Sequence, residues 1–146
     1  MNAEKKRKIV TLVYDQGLQS LLKDFLSGRE YELESAHDGL DGFHKLAKTY
    51  FDLIITDFRM PGLGDVNLLP RLKRIQPWAR VMVIPTARVN RNQRRIIESA
   101  ADVCLEKPFQ MEQVKMVIQK ILSSGERKPL PAGDTWESAR LSLETS

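Results

Sequence analysis

Two hydrophobic periodicities alternate along this chain. Between Lys8 and Tyr14 the residues Ile9, Val10, Leu12 and Val13 form a short apolar run, the pattern of a strand. Leu18, Leu21, Leu22, Phe25 and Leu26 then follow the three-and-four spacing of an amphipathic helix. Tyr31 to Ala36 is more polar and reads as a strand nearer an edge. Leu40, Phe43 and Ala47 make a second helical stripe, opened by Asp38 and Gly39. Phe51 to Thr56 is a third strand, and Val66, Leu69, Leu72 and Ile75 give a third helix closed by Pro77. Pro70 fits that helix only in its first turn, which puts the start near Gly64 to Asn67.

The alternation continues. Arg80 to Pro85 is a fourth strand, and Val89, Ile96, Ile97 and Ala100 a fourth helical stripe. Asp102 to Glu106 is a short fifth strand, and Met111, Val114, Ile118, Ile121 and Leu122 mark the last helix. Five strand-then-helix units with short connections predict an α/β domain, a parallel sheet covered by helices on both faces. After Leu122 the pattern stops. Ser123 to Gly125 and Pro129 to Gly133 have linker composition. The end of the chain offers Asp134 as a helix cap, Glu137 three residues on, and Trp136, Ala139, Arg140 and Leu143 on one face. A helix so short is marginal alone, so a frayed tail is the expectation. The reading is one domain over residues 8–123, with linker and tail over 124–146.

Composition narrows the classes. At 146 residues the chain can bury a proper core without disulfides or a structural metal. Its 42% apolar and 29% charged residues fit a soluble protein, and no run reaches the length of a membrane span. The charged start leads into a strand and does not read as a signal peptide. With the single Cys104, this points to a reducing cytoplasm. His37 and His44 have no cysteine partner, which argues against zinc. A net charge of +4 favours acidic partners without indicating nucleic-acid binding. No helix-turn-helix reading head can be found, so direct DNA binding by this chain is not expected.

The chemistry lies after the strands. The run Asp57-Phe58-Arg59-Met60-Pro61-Gly62 follows the third strand and presents Asp57 at its carboxyl end, where open α/β sheets collect ligands. A carboxylate there can hold a metal or act as a nucleophile. A solvated Asp beginning a turn is the plainer reading of that segment alone. However, Asp15 follows the first strand, Thr86-Ala87 the fourth, and Lys107-Pro108-Phe109 the fifth. Two carboxylates, a hydroxyl and an ammonium therefore come to one edge of the sheet.

Asp-x-x-Met-Pro-Gly, then Thr-Ala, then Lys-Pro-Phe, in this order over residues 8 to 122, resembles the receiver domain of bacterial response regulators, the chemotaxis-regulator type included. The resemblance implies a flavodoxin-like doubly wound sheet of five parallel strands in order 2-1-3-4-5, with five helices. It implies Asp57 as phosphoacceptor, with Asp15, Asp57 and the main-chain carbonyl of Arg59 around Mg²⁺. Lys107 and Thr86 would contact the phosphoryl group. It also implies a histidine kinase or phosphotransfer protein as donor, an output protein or domain as target, and a homodimer as one mode of assembly. Membranes are not among the partners.

The chain departs from the family pattern at Tyr14, where a second acid is usual, at the order Gly64-Asp65, and at Cys104, where an aromatic is usual. Tyr14 is expected to pack at the strand end. These departures keep a second function open: a receiver that works as a phosphorylation-independent interaction module. A flavin carrier would need a hydroxyl- and glycine-rich loop where Asp15 stands, and an aspartyl phosphatase a second Asp where Arg59 stands. Arg88, Arg91 and Arg95 fall on one stripe of the fourth helix with Arg94 beside them, either a solvated face or a docking surface for an acidic partner.

Overall fold

The computed structural model describes residues 7–28, 30–36, 38–57, 68–85 and 88–123. Five strands and five helices alternate along it. They are β1 (Arg7–Leu12), α1 (Gln16–Leu26), β2 (Tyr31–Ala36), α2 (Gly39–Lys48), β3 (Leu53–Thr56), α3 (Leu68–Ile75), β4 (Arg80–Val83), α4 (Arg91–Ala100), β5 (Val103–Cys104) and α5 (Met111–Ser123). The strands form one parallel sheet in the order β2-β1-β3-β4-β5. The polar β2 lies at an edge, as its composition predicts, and the apolar β3 at the centre. The candidate tail helix and the start of α3 fall outside the described residues.

Alternation along the strands builds two core layers. Val10, Leu12, Ile54, Val81 and Val83 face one side, where Leu46 of α2, Leu69 and Leu72 of α3 and Ile97 of α4 pack on them. Ile9, Leu53, Ile55 and Met82 face the other, against Leu18, Leu22 and Leu26 of α1 and Val114, Ile118 and Leu122 of α5. β1, β3 and β4 are thus covered on both faces, which is why their sequences are nearly continuous hydrophobic runs.

Helix starts follow the capping chemistry. Asp38 accepts the Asp41 N–H at 2.8 Å, and Asn90 and Gln93 form a reciprocal capping box at 2.8 and 2.9 Å. Two stripes differ from expectation. Leu21 and Phe25 on α1 are 47% and 40% exposed, because Leu18, Leu22 and Leu26 alone span the buried face. On α2, Leu40 is 54% exposed and the buried face is Gly39, Gly42 and Leu46. A Cβ at Gly42 would stand 2.4 Å from Leu12 Cδ2, so a missing side chain lets α2 approach β1. Phe43 of the expected stripe does pack on the core, half-buried, so the pattern found one flank of the buried face and missed its centre, because glycines do not register in a hydrophobic stripe.

Side chains tie the layers together from below. Asp52 is buried at the amino edge of the sheet; its carboxylate accepts the Lys8 N–H at 2.8 Å and faces Arg7 at 3.5 Å. Asp102 accepts the Val81 N–H at 2.7 Å and Lys73 at 3.2 Å. Gln76 is fully buried. It accepts from the Phe51 N–H at 3.0 Å and donates to the carbonyls of Leu46 and Thr49 at 3.0 and 2.7 Å. It satisfies three main-chain groups of the α2–β3 connection, those of Phe51 and Leu46 buried and that of Thr49 partly so.

Candidate functional site

The sheet register sets the site. Leu12 pairs with Thr56, Thr56 with Val83, and Val83 with Cys104, so four strands end at one level. Asp57 is the first residue past that level on the central strand. Its N–H donates to the Leu12 carbonyl at 3.3 Å, and the hydroxyl of Thr56 donates to its own carbonyl at 2.9 Å. On the next strands Ile84 N–H bonds the Thr56 carbonyl at 2.9 Å, and Leu105 N–H bonds the Val83 carbonyl at 2.9 Å. The ladder therefore extends one residue beyond the strand ends and holds the main chain around Asp57 on both sides.

Asp57 is 7% exposed. It lies recessed between the buried Val13 and Ile84 rather than standing at the surface as its place before a turn suggested. Burying a carboxylate is costly unless charges or hydrogen bonds compensate. Asp15 and Lys107 each follow three residues past the common level, on β1 and β5 respectively, and both are exposed. The loop after β1 borders Asp57 directly. Lys107 comes from two strands away, about 10 Å at ordinary strand spacing, a gap its long stem can largely cross. The peptide bond between Lys107 and Pro108 is cis. Thr86 and Arg59, with the amides near Phe58 and Ala87, lie outside the described residues.

Asp15 does a second job that its candidate role did not suggest. It is the N-cap of α1, its Oδ1 accepting the Leu18 N–H at 3.1 Å. The cap fixes the carboxylate and, among the described residues, leaves Oδ2 without a hydrogen bond. Gln19, one turn into α1, donates through Nε2 to the carbonyls of Thr11, Val13 and Ala36 at 3.3, 3.0 and 3.1 Å. It pins the loop carrying Asp15 between β1 and β2. Polar side chains on a helix usually read as solvated, and only the distance to three strand-end carbonyls reveals this role. Tyr14 is 65% exposed, so the expected packing at the strand end does not occur; the chain turns into its α1 cap before that side chain can fold back.

The donor set suits a hard divalent cation such as Mg²⁺. Asp15 and Asp57 offer carboxylate oxygens, the hard donors such an ion takes; among the described residues no group of three or more His, Cys, Asp and Glu is placed to hold a metal ion of any kind. Cys104 is half-buried, and burial, with Glu106 nearby, pushes its thiol up, so it stays protonated at neutral pH. Glu106 pairs through both oxygens with Arg94 of α4, at 2.8 and 3.2 Å. The guanidinium holds the Glu106 carboxyl below its usual range. This pair ties α4 to the loop that carries Lys107. The two partners lie twelve residues apart on different elements, and nothing in either local pattern announces it. Among the described residues no helix is long and apolar enough to cross a membrane.

Comparison with known proteins agrees with the fold. The family model of the response regulator receiver domain matches residues 11–119. The sensor histidine kinase RcsC of Escherichia coli K12 is 28% identical over 98 residues, 67% of this chain; the matched stretch is only 10% of that kinase. A CheY-like receiver from Methanospirillum hungatei JF-1 superposes with a TM-score of 0.69 at 19% identity, over 83% of this chain and 100% of that one. The response regulator TrrA of Thermotoga maritima, solved in complex with Mg²⁺-BeF, superposes with a TM-score of 0.66 at 24% identity, over 80% and 99% of the two chains.

Proposed function

Because the chain belongs to the response regulator receiver family of two-component signalling, we propose that it accepts a phosphoryl group on Asp57 and passes the change to an output partner. The donor is the phosphohistidine of a histidine kinase or a phosphotransfer protein. A carboxylate oxygen of Asp57 bonds to phosphorus while the phosphorus–nitrogen bond breaks, and the departing imidazole takes up a proton. Asp15, Asp57 and the Arg59 carbonyl hold Mg²⁺ in this reading. When bound, the ion neutralises charge between carboxylate and phosphoryl oxygens. Lys107 pairs with a phosphoryl oxygen as a point charge, and Thr86 donates its hydroxyl to another. The chain turns over no substrate; it promotes only its own modification.

The observation that carries this reading is the common level of four strand ends, with the recessed Asp57 on the middle one and the Asp15 and Lys107 loops beside it. Modification brings roughly two negative charges into that recess. Movement of Lys107 toward them pulls on Glu106 and, through the bidentate pair, on Arg94. This gives α4, β5 and α5 a route to respond where Cys104 replaces an aromatic switch, and that face meets the output partner or a second copy of the chain. The receiver unit takes residues 8–123, with 124–146 as linker and tail. Its setting is the cytoplasm.

A second reading, a phosphorylation-independent interaction module, is favoured by Tyr14 standing where a further acid would strengthen metal binding. Intact-mass measurement after incubation with acetyl phosphate separates the two. The proposal expects one phosphoryl group gained per chain with Mg²⁺ and none with the metal chelated. Asp15→Asn keeps a helix cap and removes a ligand charge. Its uptake rate at limiting Mg²⁺ should fall at least about tenfold, the scale of loss when metal sites are perturbed. No gain at high donor and high Mg²⁺ would leave the interaction module as the function.

A further inference from the structure

The outward side of α4 carries charge that nothing in the fold uses. Arg91 and Arg95 lie opposite Ile97, the buried residue of this helix; Arg88, expected on the same helical stripe, instead precedes the extended Asn90 cap, because the helix begins only at Arg91. All three are exposed, and among the described residues none forms an ion pair. Arg94 is taken by Glu106. The first turn of α4 contains no acidic residue. Cations at this end oppose the helix dipole, so the arrangement costs stability unless an anion comes to it. Glu98 is the one carboxylate on the helix, and it too lacks an ion pair among the described residues. Glu98 follows Arg95 by three residues, a spacing at which opposite charges favour a helix. Before it, residues 88–95 carry four arginines and no acid.

We propose that Arg88, Arg91 and Arg95 form a docking surface for an acidic segment of a partner protein. The inference deepens the receiver reading by giving the output partner its chemistry, and it rests on that reading only for its place in signalling. Cluster size and composition favour a protein over a nucleic acid. Arg91 and Arg95 span about one helical turn, too short to follow a phosphate backbone, and α4 carries no aromatic on which a base could stack. Glu98 at its lower end would repel a continuing line of phosphates, whereas an acidic peptide with mixed residues can pass it.

The test uses the full chain and a fluorescein-labelled polyglutamate peptide, followed by anisotropy at low ionic strength. The double variant Arg91→Glu/Arg95→Glu should bind roughly tenfold more weakly or worse, since surface charge pairs add in modest steps. Acids early in a helix favour it, so this variant keeps its fold, which circular dichroism checks. Lys23→Glu/Lys48→Glu, with the same charge change on α1 and α2, should retain binding. Equal affinity in the α4 variant, or equal loss in the control, overturns the proposal. So does tighter binding of a single-stranded oligonucleotide of matched charge, which would assign the surface to nucleic acid. Phosphoryl uptake measured on the same samples shows separately whether Asp57 works.

Discussion

Replacing Asp57 with asparagine is expected to abolish phosphoryl uptake from acetyl phosphate and leave the fold intact. The amide is nearly the same shape as the carboxylate, but its oxygen carries no full charge and its nitrogen no free lone pair. It neither attacks phosphorus nor holds a metal with comparable strength. The main-chain bonds that fix this position, from its N–H to the Leu12 carbonyl and from the Thr56 hydroxyl to its own carbonyl, do not involve the side chain. They survive the change. Intact mass should show the gain in the parent protein and none in the variant. A gain of equal size in both would place the modification elsewhere.

The largest effect on stability is expected at Gln76, far from the chemistry. Gln76→Leu keeps the volume of a fully buried side chain but strands the Phe51 N–H and the carbonyls of Leu46 and Thr49. A buried group left without its partner costs about 1–3 kcal/mol, so three together should cost about 3–5 kcal/mol after some relaxation. Domains of this size are stable by only about 5–15 kcal/mol, so much of the margin is lost. Urea unfolding should show the midpoint fall sharply with little change in slope. Gln119→Leu, the same exchange at an exposed site on α5, should shift stability by no more than about 0.5 kcal/mol. A Gln76 variant as stable as the parent would mean water replaces the amide.

The contrast between these positions shows what a single sequence discloses. The strand order, the place of β3 at the centre and the common edge at which the strands before Asp15, Asp57 and Lys107 end were all legible. Each depends on local patterns, a β-branched run, a turn signal, a polar residue after a strand, whose consequences topology then fixes. Gln76 reads as an ordinary polar residue before Pro77. Its role comes from carbonyls 27 and 30 residues away. The inner face of α2 was read only in part, through Phe43, because Gly39 and Gly42 bury backbone, not side chains, and hydrophobic patterns count only side chains. Asp15 was found as a ligand candidate and missed as a cap, though its place before a helical stripe fits both.

The departures from the family pattern have a physical reading too. Exposed Tyr14 leaves the acid count around the recess low, which should weaken Mg²⁺ binding without moving Asp57. Cys104, small and protonated, fills little of the space an aromatic ring would sweep. The Arg94–Glu106 pair joins α4 to the loop that carries Lys107, and it is the route proposed above for the response to phosphorylation.

The whole account turns on whether side chains from separate strand ends surround one anion at Asp57. Amide chemical shifts recorded as beryllofluoride and Mg²⁺ are added to isotope-labelled protein test this most directly. The account predicts changes concentrated after β1, β3, β4 and β5, at residues 13–15, 57, 84–88 and 105–108, and spreading to Arg94. The opposite edge, around Asp52, Trp78 and Asp102, should stay still. Shifts confined to Asp57 and its immediate neighbours, or scattered over that opposite edge, would contradict it.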